Sequence, residues 1–161
     1  MPSEKLVKML NKLRDEETTA SLQYMNHYAV FKNRNLHGIA EYLEKVAIQE
    51  MKHAEDLTDR MLDMGLEPKS YKIGAMPLWT LNLQEAMKSN AALEVEAIKM
   101  YNDAIDLCFK EKDHITRQLL ERILNEEETH RLKFEAIVES MEKIGDQKGF
   151  YGLLHIMEEK K

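Results

Sequence analysis

Four residues of this chain recur at one fixed offset. Glu17, Tyr24, Glu50 and His53 are repeated 77 positions on (17 to 94, 24 to 101, 50 to 127, 53 to 130) as Glu94, Tyr101, Glu127 and His130. Four coincident identities of mostly uncommon residues mark an internal repeat. Each half closes on Glu-x-x-His, Glu50/His53 and Glu127/His130. Three residues apart on a helix, a carboxylate and an imidazole share one face and together can bind one metal ion. A third Glu-x-x-His, Glu111/His114, has no mate at that offset and falls where one helical pattern ends and another begins. It reads as a solvated turn.

The repeat sits on a helical periodicity. A first helix is expected from about Ser3 to Arg34, with Ser3 as N-cap and a seam of Leu6, Leu10, Leu13, Glu17, Ala20, Tyr24 and Phe31. A second runs from about Gly38 to Met64 and stops at Gly65, on Ile39, Leu43, Val46, Glu50, His53, Leu57 and Met64. The short connection Asn33-Arg34-Asn35 makes these two antiparallel neighbours. Residues 65–82 break the period at Pro68, Gly74 and Pro77 but carry Tyr71, Ile73, Leu78 and Trp79, too apolar for a free linker. They read as an ordered crossover along the bundle, returning the chain to the end where the second helix began. A third helix spans about 83–110 on Leu83, Met87, Asn90, Glu94, Ala97, Tyr101, Ala104 and Cys108. A fourth spans about 113–144, capped by Asp113, on Thr116, Leu120, Ile123, Glu127, His130, Phe134, Ile137, Met141 and Ile144. A short fifth is expected at about 147–159, with Phe150, Leu153, Leu154 and Met157 on one side. Helices this long need packing against each other. The expected architecture is all-α, a single domain over 1–161 with a four-helix bundle at about 3–144.

Composition agrees and excludes other classes. Charged residues at 32% with six Gly and three Pro suit long helices. A net charge of −6 argues against nucleic acid as partner. One cysteine, Cys108, excludes an internal disulfide framework and a Cys-x-x-Cys metal site. No apolar run approaches the roughly 20 residues of a membrane span, and the first residues are polar and helical in period rather than a secretory leader. A cytoplasmic location is the expectation.

Acids such as Glu16, Glu55, Glu96, Glu126 and Glu128 fall on outward faces and need no explanation. Glu17, Glu50, Glu94 and Glu127 do, because their seams are otherwise apolar and aromatic. Folding the bundle gathers them with His53 and His130 in one central layer. Burying even one unpaired carboxylate costs at least several kcal/mol. Two divalent cations would balance four carboxylates, with both imidazoles neutral. A glutamate from each of two helices and Glu-x-x-His from each of the others is a known dinuclear ligand set. Glu17, Glu50 and His53 favour one metal, and Glu94, Glu127 and His130 the other, with Glu50, Glu127 or both bridging. Oxygen-rich sites with one imidazole each suit iron or manganese. Tyr24 and Tyr101 lie one or two turns from the glutamates on their own seams. They are expected to hydrogen-bond a ligand carboxylate, with a redox role as the alternative.

The chain resembles the bacterioferritins over nearly its whole length. The resemblance rests on Met9-Leu10-Asn11-Lys12-Leu13, Glu17 with Gln23-Tyr24, Phe31-Lys32-Asn33, Glu50-Met51-Lys52-His53-Ala54, Ala92-Leu93-Glu94 and Glu127-Glu128-Thr129-His130. It implies a ferritin-like fold and a ferroxidase centre at the six positions above. That centre would take two iron ions per chain and oxidise Fe(II) with O2 or H2O2. It would then pass iron to a mineral core inside a 24-subunit homo-oligomeric shell built from dimers. The resemblance also implies haem b, one per two chains, with Met51 as axial ligand across a subunit dyad. Leu22, Met25 and Ile48 would wall such a haem, while Thr18, Ser21 and Glu44 make that face more polar than a haem pocket. Lys45 and Gln49 stand where some members carry a His and an Asp for a further iron on the inner surface, so no such site is implied. Two other readings are a dimeric rubrerythrin-like di-iron peroxidase or oxidase, and a DNA-protecting shell protein of the mini-ferritin type. The first lacks its Cys-x-x-Cys electron-transfer module. The second builds its metal site between subunits, unlike a ligand set complete within one bundle.

Overall fold

The computed structural model describes residues 2–75 and 79–145; the expected fifth helix at 147–159 lies outside them, as does Leu78 of the crossover. The described residues form four helices in order: α1 (Glu4–Asn33), α2 (His37–Asp63), α3 (Leu83–Glu111) and α4 (His114–Ile144). Their ends are those the sequence led one to expect, within one or two residues. The side chains of Ser3, Asn82 and Asp113 accept hydrogen bonds from the N–H groups of Leu6, Glu85 and Thr116, each at 3.1 Å. Each satisfies one of the first-turn N–H groups that a helix cannot satisfy itself. At the end of α2, Gly65 takes φ 71°. The Leu66 N–H then donates back to the Met61 carbonyl at 3.0 Å. A left-handed residue here needs no Cβ, so glycine is the inexpensive choice.

Helix α1 packs along α2, α3 along α4, and α1 against α3, while α2 and α4 touch only sparsely. The crossover is laced to α1 at one-turn intervals. The Lys69 N–H donates to Asn11 Oδ1 (3.0 Å), the Lys72 N–H to Asp15 Oδ1 (2.9 Å) and the Gly74 N–H to Thr19 Oγ1 (2.9 Å). Residues 11, 15 and 19 are four apart and so form one row on the helix. The crossover therefore runs parallel to α1, and the helices follow an up–down–down–up order. Arg14, in the same region, is buried, donates to the Lys69 carbonyl and lies 4.5 Å over the Tyr71 ring. Trp79, by contrast, stays exposed.

Among the described residues the interior comprises two apolar clusters. One holds Tyr24, Phe31, Leu43, Val46, Leu83, Met87 and Phe134. The other holds Leu6, Leu10, Leu13, Leu57, Met61, Tyr101, Leu120 and Ile123. Each fully buried Leu or Phe contributes roughly 1.5–3 kcal/mol, which offsets what lies between them. The expected seams are occupied with small differences. Met61, not Met64, is the buried methionine of α2, Ile144 is exposed, and between Tyr24 and Phe31 on α1 lies buried His27, whose Nδ1 is 3.0 Å from Asn90 Oδ1. No described helix is long and apolar enough to cross a membrane.

Candidate metal centre

Between the two apolar clusters each helix supplies one buried glutamate: Glu17 from α1, Glu50 from α2, Glu94 from α3 and Glu127 from α4. One turn beyond Glu50 and Glu127, His53 and His130 are buried in the same layer. All six residues that the sequence singled out are thus brought together. Their donor atoms fall into two quartets, Glu17/Glu50/His53/Glu127 and Glu50/Glu94/Glu127/His130, each with its atoms within 4.8 Å of one another. Glu50 and Glu127 belong to both. The remaining pair, Glu111/His114, takes no part. His114 is exposed, and Glu111 accepts a hydrogen bond from the Ser3 N–H at 2.9 Å.

The two histidines face each other as stacked rings, 6.3 Å between centroids. His53 Nδ1 lies 2.9 Å from Glu50 Oε2, 2.9 Å from Glu127 Oε1 and 3.5 Å from Glu17 Oε2. His130 Nδ1 lies 2.8 Å from Glu50 Oε1. Yet Glu50 Oε1, Glu127 Oε1 and His130 Nδ1 are buried without a properly directed hydrogen bond. Such orphans are costly. Their convergence fits a pair of cations, each of which needs several inward-facing lone pairs.

Electrostatics carry the same message. Burial pushes the Glu50 and Glu94 carboxyls well above the usual carboxylate range, the first helped by Glu94 and the second by Glu127. Burial and the neighbouring Glu17 and Glu50 push Glu127 up to about 8. Burial works to lower His53, but hydrogen bonds to Glu127, Glu17 and Glu50 outweigh it and raise the imidazole. His130 is lowered, chiefly by burial. Without positive charge at its centre, the layer holds protons as a unit.

The tyrosines bond carboxylates of this layer, but across the bundle. The Tyr24 hydroxyl, on α1, donates to Glu94 Oε1 on α3 at 2.5 Å. The Tyr101 hydroxyl, on α3, donates to Glu17 Oε1 on α1. Each thus serves the other half of the repeat.

Two residues beside the layer escaped the sequence reading. Glu126 had passed for an outward-facing acid, and Gln49 for a lost inner-surface ligand. In the fold, His53 Nε2 meets Glu126 Oε2 at 2.7 Å and His130 Nε2 meets Gln49 Oε1 at 3.1 Å, while the Gln49 amide donates to Glu126 Oε2 at 2.6 Å. With both acceptors on Nε2, the hydrogen-bond network assigns a proton there and leaves Nδ1 of each ring as the nitrogen that faces inward and can bind an ion once it is deprotonated. Glu126, only 30% exposed, is held down to about 2, since the bonds from His53 and then Gln49 outweigh burial. The signal was present: residues 49 and 126 are themselves 77 apart, but they are not identical.

The layer is approached from two sides. Between α1 and α3 a cleft of about 30 Å³ is lined by Glu16, Glu17, Tyr24, Glu94, Glu96 and Glu127. Between α2 and α4 a hollow of about 610 Å³ ends on His53, Gln49 and Glu126. Met51 points to neither. It is 55% exposed on the outside of α2, with Leu22, Met25 and Ile48 also exposed.

An up–down–down–up bundle with one buried glutamate per helix and two Glu-x-x-His pairs defines the class of ferritin-like carboxylate proteins. Residues 7–144 match the family described as Ferritin-like domain. The chain is 31% identical over 142 residues to the bacterioferritin of Desulfovibrio desulfuricans, an alignment covering 88% of this chain and 79% of that one. It is 31% identical over 140 residues to the bacterioferritin of Mycolicibacterium paratuberculosis, covering 87% of each. With the bacterioferritin of Mycobacterium bovis it shares 29% over 142 residues, covering 88% and 89%. The chain belongs to the ferritin-like domain family and, within it, to the bacterioferritins.

Proposed function

We propose that this chain is an iron-storing ferroxidase that takes two Fe(II) as substrate into the central layer. The observation that carries the reading is the pair of overlapping donor quartets that share Glu50 and Glu127. Glu17 and His53 hold one ion, Glu94 and His130 the other, and Glu50 and Glu127 hold both. The four carboxylates neutralise two divalent ions, and the added charge as each ion goes to Fe(III) further favours oxygen donors. With hydrogen peroxide the balance is two Fe(II), one H2O2 and two protons to two Fe(III) and two waters. With O2, four Fe(II) and four protons are consumed per molecule, again giving water. Tyr24 and Tyr101 orient the Glu94 and Glu17 carboxylates, so that one oxygen of each faces the ion.

Iron then passes to a mineral inside a shell of 24 copies built from dimers, in the cytoplasm. If that dimer takes up haem b, Met51 would be the residue that holds it. It is exposed here, on an outer face, and its neighbours Leu22, Met25 and Ile48 supply the apolar area that porphyrin binding needs. Stopped-flow Fe(II) oxidation and size-exclusion mass test the proposal. Rapid oxidation of about two Fe(II) per chain by a particle near 24 chains is expected. A stable pair of chains that stores no mineral would favour a small di-iron peroxidase instead.

A further inference from the structure

The internal repeat makes the two halves of the layer alike in every ligand position, yet their outer partners differ in charge. His53 Nε2 bonds a carboxylate, Glu126 Oε2, at 2.7 Å. His130 Nε2 bonds an amide oxygen, Gln49 Oε1, at 3.1 Å. The difference is braced from behind. Arg122 Nη1 donates to Glu126 Oε1 at 3.2 Å, and Arg122 Nη2 reaches Asp56 Oδ2 at 2.5 Å. An anionic acceptor on the far nitrogen of a ligating histidine polarises the ring and makes its inward nitrogen the stronger donor. It also fixes the ring's orientation, and such partners change metal affinity by roughly 10- to 100-fold. A neutral amide orients the ring but polarises it less.

We infer that Glu126 and Gln49 are positioning residues that make the two metal positions unequal. The position of Glu17 and His53 holds its divalent ion tightly, and the position of Glu94 and His130 holds its ion loosely. The inference rests on the dinuclear reading above. It adds an order of filling, with the His53 half loaded first and the His130 half left as the exchanging one. Direct Gln49–Glu126 contact at 2.6 Å ties the two outer partners together, so a change at either is felt at both rings.

The test uses Co(II) as probe, anaerobically, on the full metal-free chain, followed by calorimetry and by visible absorption. Two Co(II) per chain are expected in two resolved steps. Glu94→Ala should keep the tight step and lose the weak one, and Glu17→Ala the reverse. Glu126→Gln should weaken the tight step about 10- to 100-fold, merging it with the other. Gln49→Glu should tighten the weak step, a gain that loss of folding cannot produce. The inference is overturned if two Co(II) bind and neither Glu126→Gln nor Gln49→Glu moves either step, or if Glu94→Ala retains the weak step. Binding of fewer than two Co(II), unchanged by Glu50→Ala, would instead remove the dinuclear reading itself, and this inference with it.

Discussion

The hydroxyl of Tyr24 donates to Glu94 Oε1 at 2.5 Å, across 70 residues of chain and from one half of the repeat to the other. Its repeat mate Tyr101 does the same in return to Glu17. Each tyrosine belongs to a different apolar cluster, so the two bonds pin the polar layer from both sides. Removing a hydroxyl leaves a buried carboxylate oxygen without its donor. Tyr24→Phe and Tyr101→Phe should each cost the metal-free protein about 1–3 kcal/mol. They should slow Fe(II) oxidation without abolishing it. Urea denaturation and stopped-flow kinetics check this, and two variants indistinguishable from wild type would show that these bonds orient nothing.

Glu94→Ala and Glu127→Ala should each abolish rapid Fe(II) oxidation while leaving the helices formed. The substitution removes a ligand but also relieves crowding of buried charge, and replacing buried ionic groups is often neutral or stabilising. Circular dichroism should show native helix content in both variants. Oxidation at the wild-type rate in both variants would sink the site assignment.

Metal-free stability should fall as pH rises from about 5 to 8. Glu50, Glu94 and Glu127 have folded pKa values raised above the ordinary 4.5, Glu127 to about 8. The folded state therefore binds more protons than the unfolded one across this interval, and stability drops with pH. The raised His53 acts in the same sense above its ordinary 6.5, because the unfolded chain loses that proton first. Glu126, lowered to about 2, and Asp113, also lowered, have the opposite sign: their contribution is present above their ordinary values and lost as pH falls. His130, lowered from its ordinary 6.5, also opposes the fall below that value, one group against three raised carboxyls. Stability of the metal-free chain should therefore peak near pH 5. Saturating Co(II) should reverse the slope above the peak, since the ion displaces those protons. Thermal melts at pH 5, 6.5 and 8 with and without Co(II) decide it, and a metal-free Tm that climbs towards pH 8 would contradict the assignment of buried, proton-holding carboxylates.

Met51 follows Glu50 by one residue and so points about 100° away from the metal seam. Its exposure on the outer face agrees with that geometry. If haem is found, it should be at one per two chains with a low-spin Soret spectrum, and Met51→Leu should remove it while Fe(II) oxidation continues. A haem that survives the substitution with unchanged axial ligation would show that another residue holds it.

The sequence by itself determined the four described helices, the caps at Ser3, Gly65 and Asp113, and the six residues of the central layer. Helical period and the 77-residue repeat are local or self-referential signals, and both are properties of the chain alone. A buried face is legible from spacing because 3.6 residues per turn leaves few alternatives. What spacing leaves open is the identity of the neighbour across the interface. That Tyr24 bonds Glu94 rather than an acid of its own seam depends on how α1 and α3 are placed against each other. That Glu126 is a partner of His53, and not a solvated acid, depends on the separation of α2 and α4, whose sparse contact leaves room for both Glu126 and Gln49 beside the rings. Met61 displaces Met64 from the core for a related reason: both lie close to the inward stripe, and only the packed neighbours decide which is covered. Helical period assigns each residue a direction from its own axis, and the tertiary structure alone decides what that direction meets.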